Sequence, residues 1–279
     1  MERSPVKLIV CDIDDTLIHK ELHLSPRMID VIRRVREKGV QFTLATGRMP
    51  YRAEVFAGEA KLDIPFIANN GTILYDRGSM VYCRLIDAGQ LKGVLHKYMA
   101  ENPEFTVIFS YPDRERPLVR TRWIEDRLHR YRGYDETLGD TDEVWNQRVH
   151  KVYVLDDSRS GLIGRLSKEL EVMDGEFGFF QYGEYSIEIV AKGCTKASGL
   201  SSLLEYLKIP ASEVMAIGDH VNDIEVIRMA GIGVAVANAD PKLKAEADYI
   251  TDGEMAAGVE EAIDRFVFQK KEEMELCRK

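Results

Sequence analysis

The sequence predicts an α/β protein with a Rossmann-like parallel-sheet core and a second α/β domain inserted into it. Short apolar runs alternate with helical patterns at the start of the chain, the alternation becomes irregular after Leu85, and it resumes near Lys196. Strands that alternate with helices at such spacing are joined by right-handed crossovers and therefore form a parallel sheet. We expect residues 1–84 and 190–279 to be the two halves of the core and residues 85–189 to be the insertion.

The first half of the core is predicted from apolar runs and helix signals. Val6–Val10 is typical of a strand that is buried on both faces. A helix follows, with Ser25 as its N-cap, Pro26 in its first turn and Gly39 beyond its end. The next elements are predicted as strand, helix, strand and hairpin, at Phe42–Ala45, Tyr51–Ala60, Pro65–Ala68, and Thr72–Tyr75 with Met80–Cys83.

The insertion and the second half of the core have their own apolar periodicity. In the insertion we expect two strands, a helix and a strand at Phe105–Phe109, Lys151–Leu155, Leu162–Leu170 and Ser186–Val190. In the second half we expect helix, strand, helix and strand at Ala197–Leu207, Val214–Ile217, Asn222–Ala230 and Ile232–Val236. The tail Gln269–Lys279 is expected to be a solvated end.

Composition restricts the classes of partner. The 279 residues carry a formal net charge of −9, whereas a nucleic-acid binder usually has a basic surface. No stretch approaches the roughly 20 apolar residues that span a bilayer. The four cysteines form no CxxC pair, which fits a reducing compartment. We therefore expect a cytoplasmic protein that binds neither nucleic acid nor membranes, and the oligomeric state stays open.

Polar side chains collect where the predicted parallel strands end, which is the edge where such sheets bind ligands. Four regions contribute: Asp12, Asp14, Asp15 and Thr16; Thr46, Gly47 and Arg48; Asn69, Asn70 and Gly71; and Lys196 with Gly218, Asp219, Asn222 and Asp223. Crowded carboxylates need a cation to remain ionised, and oxygen ligands favour Mg²⁺. Carboxylates, a hydroxyl and a lysine are also the groups that phosphoryl transfer requires.

Four of these motifs resemble those of the haloacid dehalogenase superfamily: Asp12-x-Asp14-x-Thr16, then Thr46, then Lys196, then Gly218-Asp219-x-x-Asn222-Asp223. The segments LATGR, ANNG and GDHVND, with the long insertion between the second and third motifs, resemble the Cof-type sugar-phosphatase branch. The resemblance implies a Mg²⁺-dependent phosphatase that acts on a small phosphomonoester through an aspartyl-phosphate. It also implies that the insertion is an α/β cap domain that closes over the core and selects the substrate.

The resemblance also assigns roles to residues. Asp12 would be the nucleophile and Asp14 the general acid. The metal would be held by Asp12, the backbone carbonyl of Asp14, and Asp219, and Asp223 and Asn222 would support the metal and its waters. The phosphate or the substrate would be bound by Thr46, Gly47, Arg48, Lys196 and Asn222.

Several alternatives remain at this point. Thr46 is equally suited to cap the next helix, and Arg48 to form a structural salt bridge. Lys192 is a rival to Lys196 as the phosphate ligand, and Lys196 is preferred because it lies at the helix start where the motif expects a lysine. A phosphosugar mutase with the same nucleophile would share these motifs. A non-catalytic phosphate-binding module is a second alternative, but such a module would be expected to have lost one of these groups, and none is missing. Sugar phosphates are the default substrates by resemblance, with pyridoxal phosphate, flavin mononucleotide and nucleotide-pathway intermediates also open. The cap residues that select among them are candidates only: Phe180, Gln181, Tyr182 and Tyr185.

Overall fold

A computed structural model describes residues 5–19, 22–130 and 132–268 of the chain. The predicted solvated end, residues 269–279, lies outside the described residues. The described chain divides into two compact units, one of residues 5–48, 52–82 and 195–268 and the other of residues 49–51 and 83–194. Among the described helices, none is both long enough and apolar enough to cross a membrane.

The elements are numbered here in chain order. The strands are β1 Leu8–Cys11, β2 Gln41–Leu44, β3 Phe66–Ala68, β4 Ile73–Asp76, β5 Ser79–Cys83, β6 Ile86–Asp87, β7 Thr106–Ser110, β8 Glu115–Pro117, β9 Arg148–Val149, β10 Lys151–Leu155, β11 Phe177–Tyr182, β12 Ser186–Ala191, β13 Val214–Gly218, β14 Ile232–Ala235 and β15 Tyr249–Ile250. The α-helices are α1 Pro26–Glu37, α2 Pro50–Glu59, α3 Lys92–Glu101, α4 Arg122–Glu125, α5 Asp142–Trp145, α6 Leu162–Val172, α7 Lys196–Leu207, α8 Ile224–Met229, α9 Pro241–Lys244 and α10 Met255–Ile263. Short 3₁₀ turns lie at Asn69–Gly71, Ala88–Leu91, Ala211–Glu213 and Val221–Asp223, and a π-helical turn at Asp264–Phe268.

The first unit contains a parallel sheet in the order β15-β14-β13-β1-β2. Strand β1 lies inside it, pairing in parallel with β13 on one side and β2 on the other, and all four of its residues are buried. Helix α1 starts as predicted: the Ser25 hydroxyl accepts a hydrogen bond from the Met28 N–H, and Pro26 follows the cap. The predicted Rossmann-like parallel core is therefore present.

Strand β3 departs from the predicted alternation. It joins the parallel sheet through a single bridge between Ala45 and Ile67, and it pairs along its length with β4 in the antiparallel direction. The chain reverses between the two strands at Asn69–Gly71, where all three residues have a positive φ, of 49°, 51° and 89°. Glycine, which has no Cβ, and asparagine, which has a short polar side chain, tolerate that conformation and so permit the reversal.

The second unit has an antiparallel sheet in the order β11-β12-β10-β7-β8. Helices α3 and α6 contribute buried residues to the same hydrophobic core as this sheet. Tyr98 of α3 and Leu166 of α6, for example, are in one cluster with Phe109, Val152 and Ile189 of the sheet. The strands and the helix predicted in this stretch are present, and β11 and α3 are elements that the sequence did not reveal.

Candidate active site

The loop after β1 is a compact turn that presents several polar side chains. The Asp12 N–H donates to the carbonyl of Ile217 over 3.0 Å, which ties the end of β1 to β13. Asp15 then adopts a positive φ of 56°, and its N–H donates to the carbonyl of Ile18 over 2.6 Å. The turn leaves Asp12 and Thr16 buried, while the side chain of Asp14 is about half exposed, at 48%.

Three carboxylates meet at the ends of β1 and β13. Oxygen atoms of Asp12, Asp219 and Asp223, one from each residue, lie within 4.8 Å of one another, and all three residues are buried. Asp223 is fixed locally, because its Oδ2 accepts hydrogen bonds from the N–H groups of Asp219 and His220, over 3.3 and 3.2 Å. Gly218 permits this approach, since a Cβ there would lie 2.6 Å from the Asp223 carboxyl carbon.

Lys196 neutralises part of this negative charge. Its Nζ lies 2.8 Å from Oδ1 of Asp12 and 2.7 Å from Oδ1 of Asp223, and the side chain is 1% exposed. The lysine occupies the first position of α7, where the Thr195 side chain and Ser198 form a capping box. Lys192 is an exposed residue of the other unit, and its Nζ donates to the carbonyl of Gly175.

Burial and charge shift the titration of these groups. The pKa of Asp12 is raised well above its usual value because burial disfavours the carboxylate, although Lys196 acts in the opposite direction. Burial likewise raises the pKa of Asp219 to about 6, and the hydrogen bond from Thr16 opposes that rise. Burial lowers the pKa of Lys196, but Asp12 and Asp223 outweigh it and the net pKa is raised. The lysine is therefore a cation in this setting.

Two loops beside the cluster are joined through their backbones. The N–H of Asn70 donates to the carbonyl of Thr46 over 3.0 Å, and the N–H of Asn69 donates to the carbonyl of Arg48 over 2.8 Å. The buried Thr46 hydroxyl accepts from the Arg48 N–H over 3.1 Å, within the loop that precedes α2. Gly47 packs against the Asn70 side chain, because a Cβ there would be 3.2 Å from Nδ2.

Asn222 connects the fourth motif to the turn after β3. Its Nδ2 donates to Oδ1 of Asn70 over 3.1 Å. The Oδ1 atom of Asn222 is buried and has no hydrogen-bond partner within residues 5–19, 22–130 and 132–268. Buried polar atoms are normally paired, so this acceptor is suited to a ligand or to a metal-bound water.

Arg48 binds Asp14 through both nitrogens of one guanidinium edge. Nε donates to Oδ2 over 2.9 Å, and the terminal nitrogen Nη2 donates to Oδ1 over 2.5 Å. The two residues form a salt bridge in which the arginine side chain is 16% exposed. The salt bridge was the alternative to direct substrate binding, and it is the contact that the structure contains.

The three buried carboxylates fit a hard divalent cation. Mg²⁺ prefers oxygen ligands and is usually bound through a small number of carboxylates with waters completing its shell. Asp12, Asp219 and Asp223 supply carboxylate oxygens, and the buried Oδ1 of Asn222, which lies in the same sequence motif as Asp219 and Asp223, is a further acceptor. Three carboxylates with one lysine leave an excess of negative charge, which a cation would compensate.

Thr16 is a contributor to which the sequence assigned no role. It is fully buried, and its hydroxyl donates to Oδ1 of Asp219 over 2.7 Å. Asn238, which no motif indicated, donates from Nδ2 to the carbonyl of Asp15 over 2.7 Å and so supports the same loop. Thr16 could have been included from the sequence, because it belongs to the Asp-x-Asp-x-Thr pattern. No sequence motif contains Asn238, so nothing in the sequence indicated its contact.

The four candidates for substrate selection lie on or beside β11 in the second unit. Tyr182 donates to Oε2 of Glu188 over 3.3 Å, and the hydroxyl of Tyr185 accepts from Nε1 of Trp123 over 2.6 Å. Phe180 packs against the core of that unit, and Gln181 donates to the carbonyl of Gly183. The two tyrosine hydroxyls therefore have protein partners.

Comparison with known proteins adds independent findings. A family model described as haloacid dehalogenase-like hydrolase matches residues 9–263. The chain is 30% identical to the 5-amino-6-(5-phospho-D-ribitylamino)uracil phosphatase of Bacillus subtilis, over 95% of this chain and 98% of that protein. It is 27% identical to the HMP-PP phosphatase of Klebsiella pneumoniae, over 88% and 89% of the two chains. A crystal structure of a haloacid dehalogenase-like hydrolase from Bacteroides thetaiotaomicron superposes with a TM-score of 0.77, at 27% identity, over 93% of this chain and 99% of that one.

Proposed function

This chain belongs to the haloacid dehalogenase-like hydrolases, and on that premise we propose that it is a Mg²⁺-dependent phosphatase. It hydrolyses a small phosphomonoester of the sugar-phosphate class through an aspartyl-phosphate on Asp12. The observation that carries the proposal is the buried cluster of Asp12, Asp219 and Asp223, with Lys196 between two of its carboxylates. Burying that much charge is costly unless it serves to hold a cation and a phosphoryl group.

In the first half of the reaction, an Asp12 carboxylate oxygen attacks phosphorus and the bond from phosphorus to the leaving oxygen breaks. Asp14 gives its proton to that oxygen, so the alcohol leaves neutral. Lys196 already holds Asp12 in place, and we assign the third N–H of its ammonium group to a phosphoryl oxygen. The backbone of Thr46–Gly47 and the Asn222 side chain are the further phosphate contacts that we propose.

In the second half, Asp14 accepts a proton from water and the water oxygen attacks phosphorus. The bond between phosphorus and Asp12 breaks, which restores the carboxylate and releases inorganic phosphate. Asp12, Asp219, Asp223 and the carbonyl of Asp14 are our candidate ligands for Mg²⁺. When bound, Mg²⁺ compensates the negative charge of the carboxylates and of the transferring phosphoryl group.

The named relatives support the substrate class. The relative from Bacillus subtilis is named for a phosphorylated ribityl compound and the one from Klebsiella pneumoniae for HMP-PP, so both names specify small phosphorylated molecules. We propose a substrate of the same kind. Residues 85–189 are our proposed cap, and substrate choice is its proposed contribution.

Phosphate release from a panel of phosphomonoesters tests the proposal. The wild type, with and without Mg²⁺, is compared with Asp12→Asn, which keeps the shape of the side chain but removes the nucleophile. We expect release that requires Mg²⁺ and vanishes in the variant. Release that is unaffected by Asp12→Asn would exclude the nucleophile, and isomerisation of a sugar phosphate without phosphate release would indicate a mutase.

A further inference from the structure

The geometry points to Arg48 as a positioning residue that orients the Asp14 carboxylate for proton transfer. In this assignment Arg48 acts on the substrate through Asp14, and its guanidinium does not bind the phosphate. The inference rests on the proposed function, because Asp14 is the acid of that reaction. Arg48 would then control how well the leaving oxygen is protonated.

The contact between the two side chains is suited to orientation. Nε and Nη2 of Arg48 donate to different oxygens of Asp14, over 2.9 and 2.5 Å. Two parallel hydrogen bonds from a planar guanidinium fix the plane of a carboxylate as well as its position. A lysine is a point charge on a flexible stem and fixes only the distance.

Arg48 is itself held from several sides. Its guanidinium carbon lies 4.9 Å from the ring centroid of Phe56, which is fully buried. Its N–H donates to the hydroxyl of Thr46 over 3.1 Å, and its carbonyl accepts from the N–H of Asn69 over 2.8 Å. Asp14, by contrast, is 48% exposed at its side chain. The arginine is therefore the fixed partner and the aspartate the group that it restrains.

The cations of the site are divided between the two catalytic aspartates. Lys196 contacts Asp12, the proposed nucleophile, and Asp223, a proposed Mg²⁺ ligand. Arg48 contacts Asp14. With Lys196 on the nucleophile and Arg48 on the acid, the structure assigns one cation to each proposed chemical role.

If Arg48 positions the acid, the loss of activity on changing Arg48 should depend on the leaving group of the substrate. A basic alkyl oxygen must be protonated as it departs, whereas p-nitrophenolate leaves without a proton. A residue that positions the acid therefore affects alkyl phosphates more than p-nitrophenyl phosphate. The parameter kcat/KM isolates this effect, because it measures the transition state for the first half of the reaction relative to free enzyme and substrate.

The experiment measures kcat/KM for an alkyl phosphomonoester and for p-nitrophenyl phosphate, in the wild type, Arg48→Met, Asp14→Asn and the double variant. A misplaced catalytic group can cost about 100-fold, so we expect the loss for the alkyl phosphate to exceed the loss for the aryl phosphate by at least about 10-fold. The double variant should be no slower than Asp14→Asn alone, because both changes remove the same function. Arg48→Lys should recover only part of the kcat/KM that Arg48→Met loses, since a lysine cannot form both hydrogen bonds.

Arg228→Met is the matched control, because Arg228 makes the same two-nitrogen contact with Glu246, over 2.8 and 2.7 Å, on an exposed surface. It should leave the ratio of the two substrates unchanged. Equal losses on both substrates in Arg48→Met, or losses that multiply in the double variant, would overturn the inference while the phosphatase function stands. A wild type that hydrolyses neither substrate would overturn both.

Discussion

Oδ1 of Asp12 lies 2.8 Å from Nζ of Lys196, in a part of the core where the lysine side chain is 1% exposed and the aspartate side chain 8%. The lysine begins α7 and the aspartate follows β1, so two distant parts of the chain supply one ion pair. Because the same Nζ also contacts Asp223, its removal would leave two buried carboxylates facing each other.

We expect Lys196→Met to be strongly destabilising in the absence of metal. Removing one partner of a buried ion pair costs about 3–5 kcal/mol, because an uncompensated charge remains. The free energy of unfolding in urea, measured with EDTA and again with Mg²⁺, checks this. Mg²⁺ should reduce the difference from the wild type if it binds the uncompensated carboxylates. Lys97→Met removes an exposed pair with Glu169 and should change stability by less than about 1 kcal/mol. Equal losses in the two variants would contradict the role of burial.

The hydrogen bond from Thr16 to Asp219 should control metal affinity. Thr16→Val keeps the shape of the side chain and removes the donor that lowers the pKa of Asp219. Partners behind a metal ligand typically change affinity by about 10- to 100-fold, so we expect the Mg²⁺ concentration for half-maximal activity to rise at least about 10-fold.

The pH dependence of Thr16→Val has a defined sign. The pKa of Asp219 is raised to about 6 in the wild type, so protons compete with Mg²⁺ increasingly as the pH falls below that value. Without the hydrogen bond the pKa rises further, and the loss of Mg²⁺ affinity should begin at a higher pH. Thr43→Val removes another buried hydroxyl, which donates to the carbonyl of Pro65, and should leave the Mg²⁺ response unchanged. An identical Mg²⁺ response in Thr16→Val and Thr43→Val would exclude a specific role of the Thr16 hydrogen bond in metal binding.

Gly71 should not tolerate a side chain. Its φ is +89°, and a Cβ would lie 1.9 Å from the carbonyl oxygen of Thr195, the N-cap of α7. Backbone strain and overpacking each cost about 1–3 kcal/mol, so Gly71→Ala should lower the free energy of unfolding by about 3 kcal/mol or more. Gly78 is the control, because its φ is +83° and, among the described residues, nothing beyond its chain neighbours lies within 4 Å of the position that a Cβ would take. Gly78→Ala should lower the free energy of unfolding only by the cost of backbone strain. An equal decrease in Gly71→Ala and Gly78→Ala would argue that the clash with Thr195 at the start of α7 contributes nothing.

His150 should make the protein less stable in mild acid. The imidazole is 5% exposed, and burial lowers its pKa from 6.5 to about 4. Between these values the unfolded state binds the proton and the folded state does not. The contribution to stability is therefore complete above pH 6.5 and falls by about 1.4 kcal/mol per pH unit below it, until the pH reaches about 4.

Urea unfolding across this pH range tests the contribution of His150. His150→Gln should flatten the dependence relative to the wild type, and His129→Gln, at an exposed position, should leave it unchanged. A wild-type curve with the same slope as His150→Gln would exclude His150 as the source.

The core was largely predictable because its signals are local. The apolar run before Asp12 and the cap at Ser25 specify a buried strand and a helix start, and both are present in the structure. The antiparallel pairing of β3 with β4 was missed. Asn70 and Gly71 are residues that suit a tight turn, but their types do not specify that the chain after the turn pairs with β3. Strand β11 was missed as well, since its run of aromatic residues has no strict alternation.

The positions of Asp12, Asp219 and Lys196 relative to strand and helix ends predicted that these residues would meet at one edge of a parallel sheet, and the structure brings them together. Which group contacts which became known only from the packed fold. Lys196 lies between two carboxylates, Arg48 binds Asp14, and Thr16 donates to Asp219. This difference arises from the range of the interactions. Helix caps and strand periodicity arise between neighbours in sequence, whereas an ion pair depends on side-chain directions that β1, α2 and α7 fix only once they are packed together.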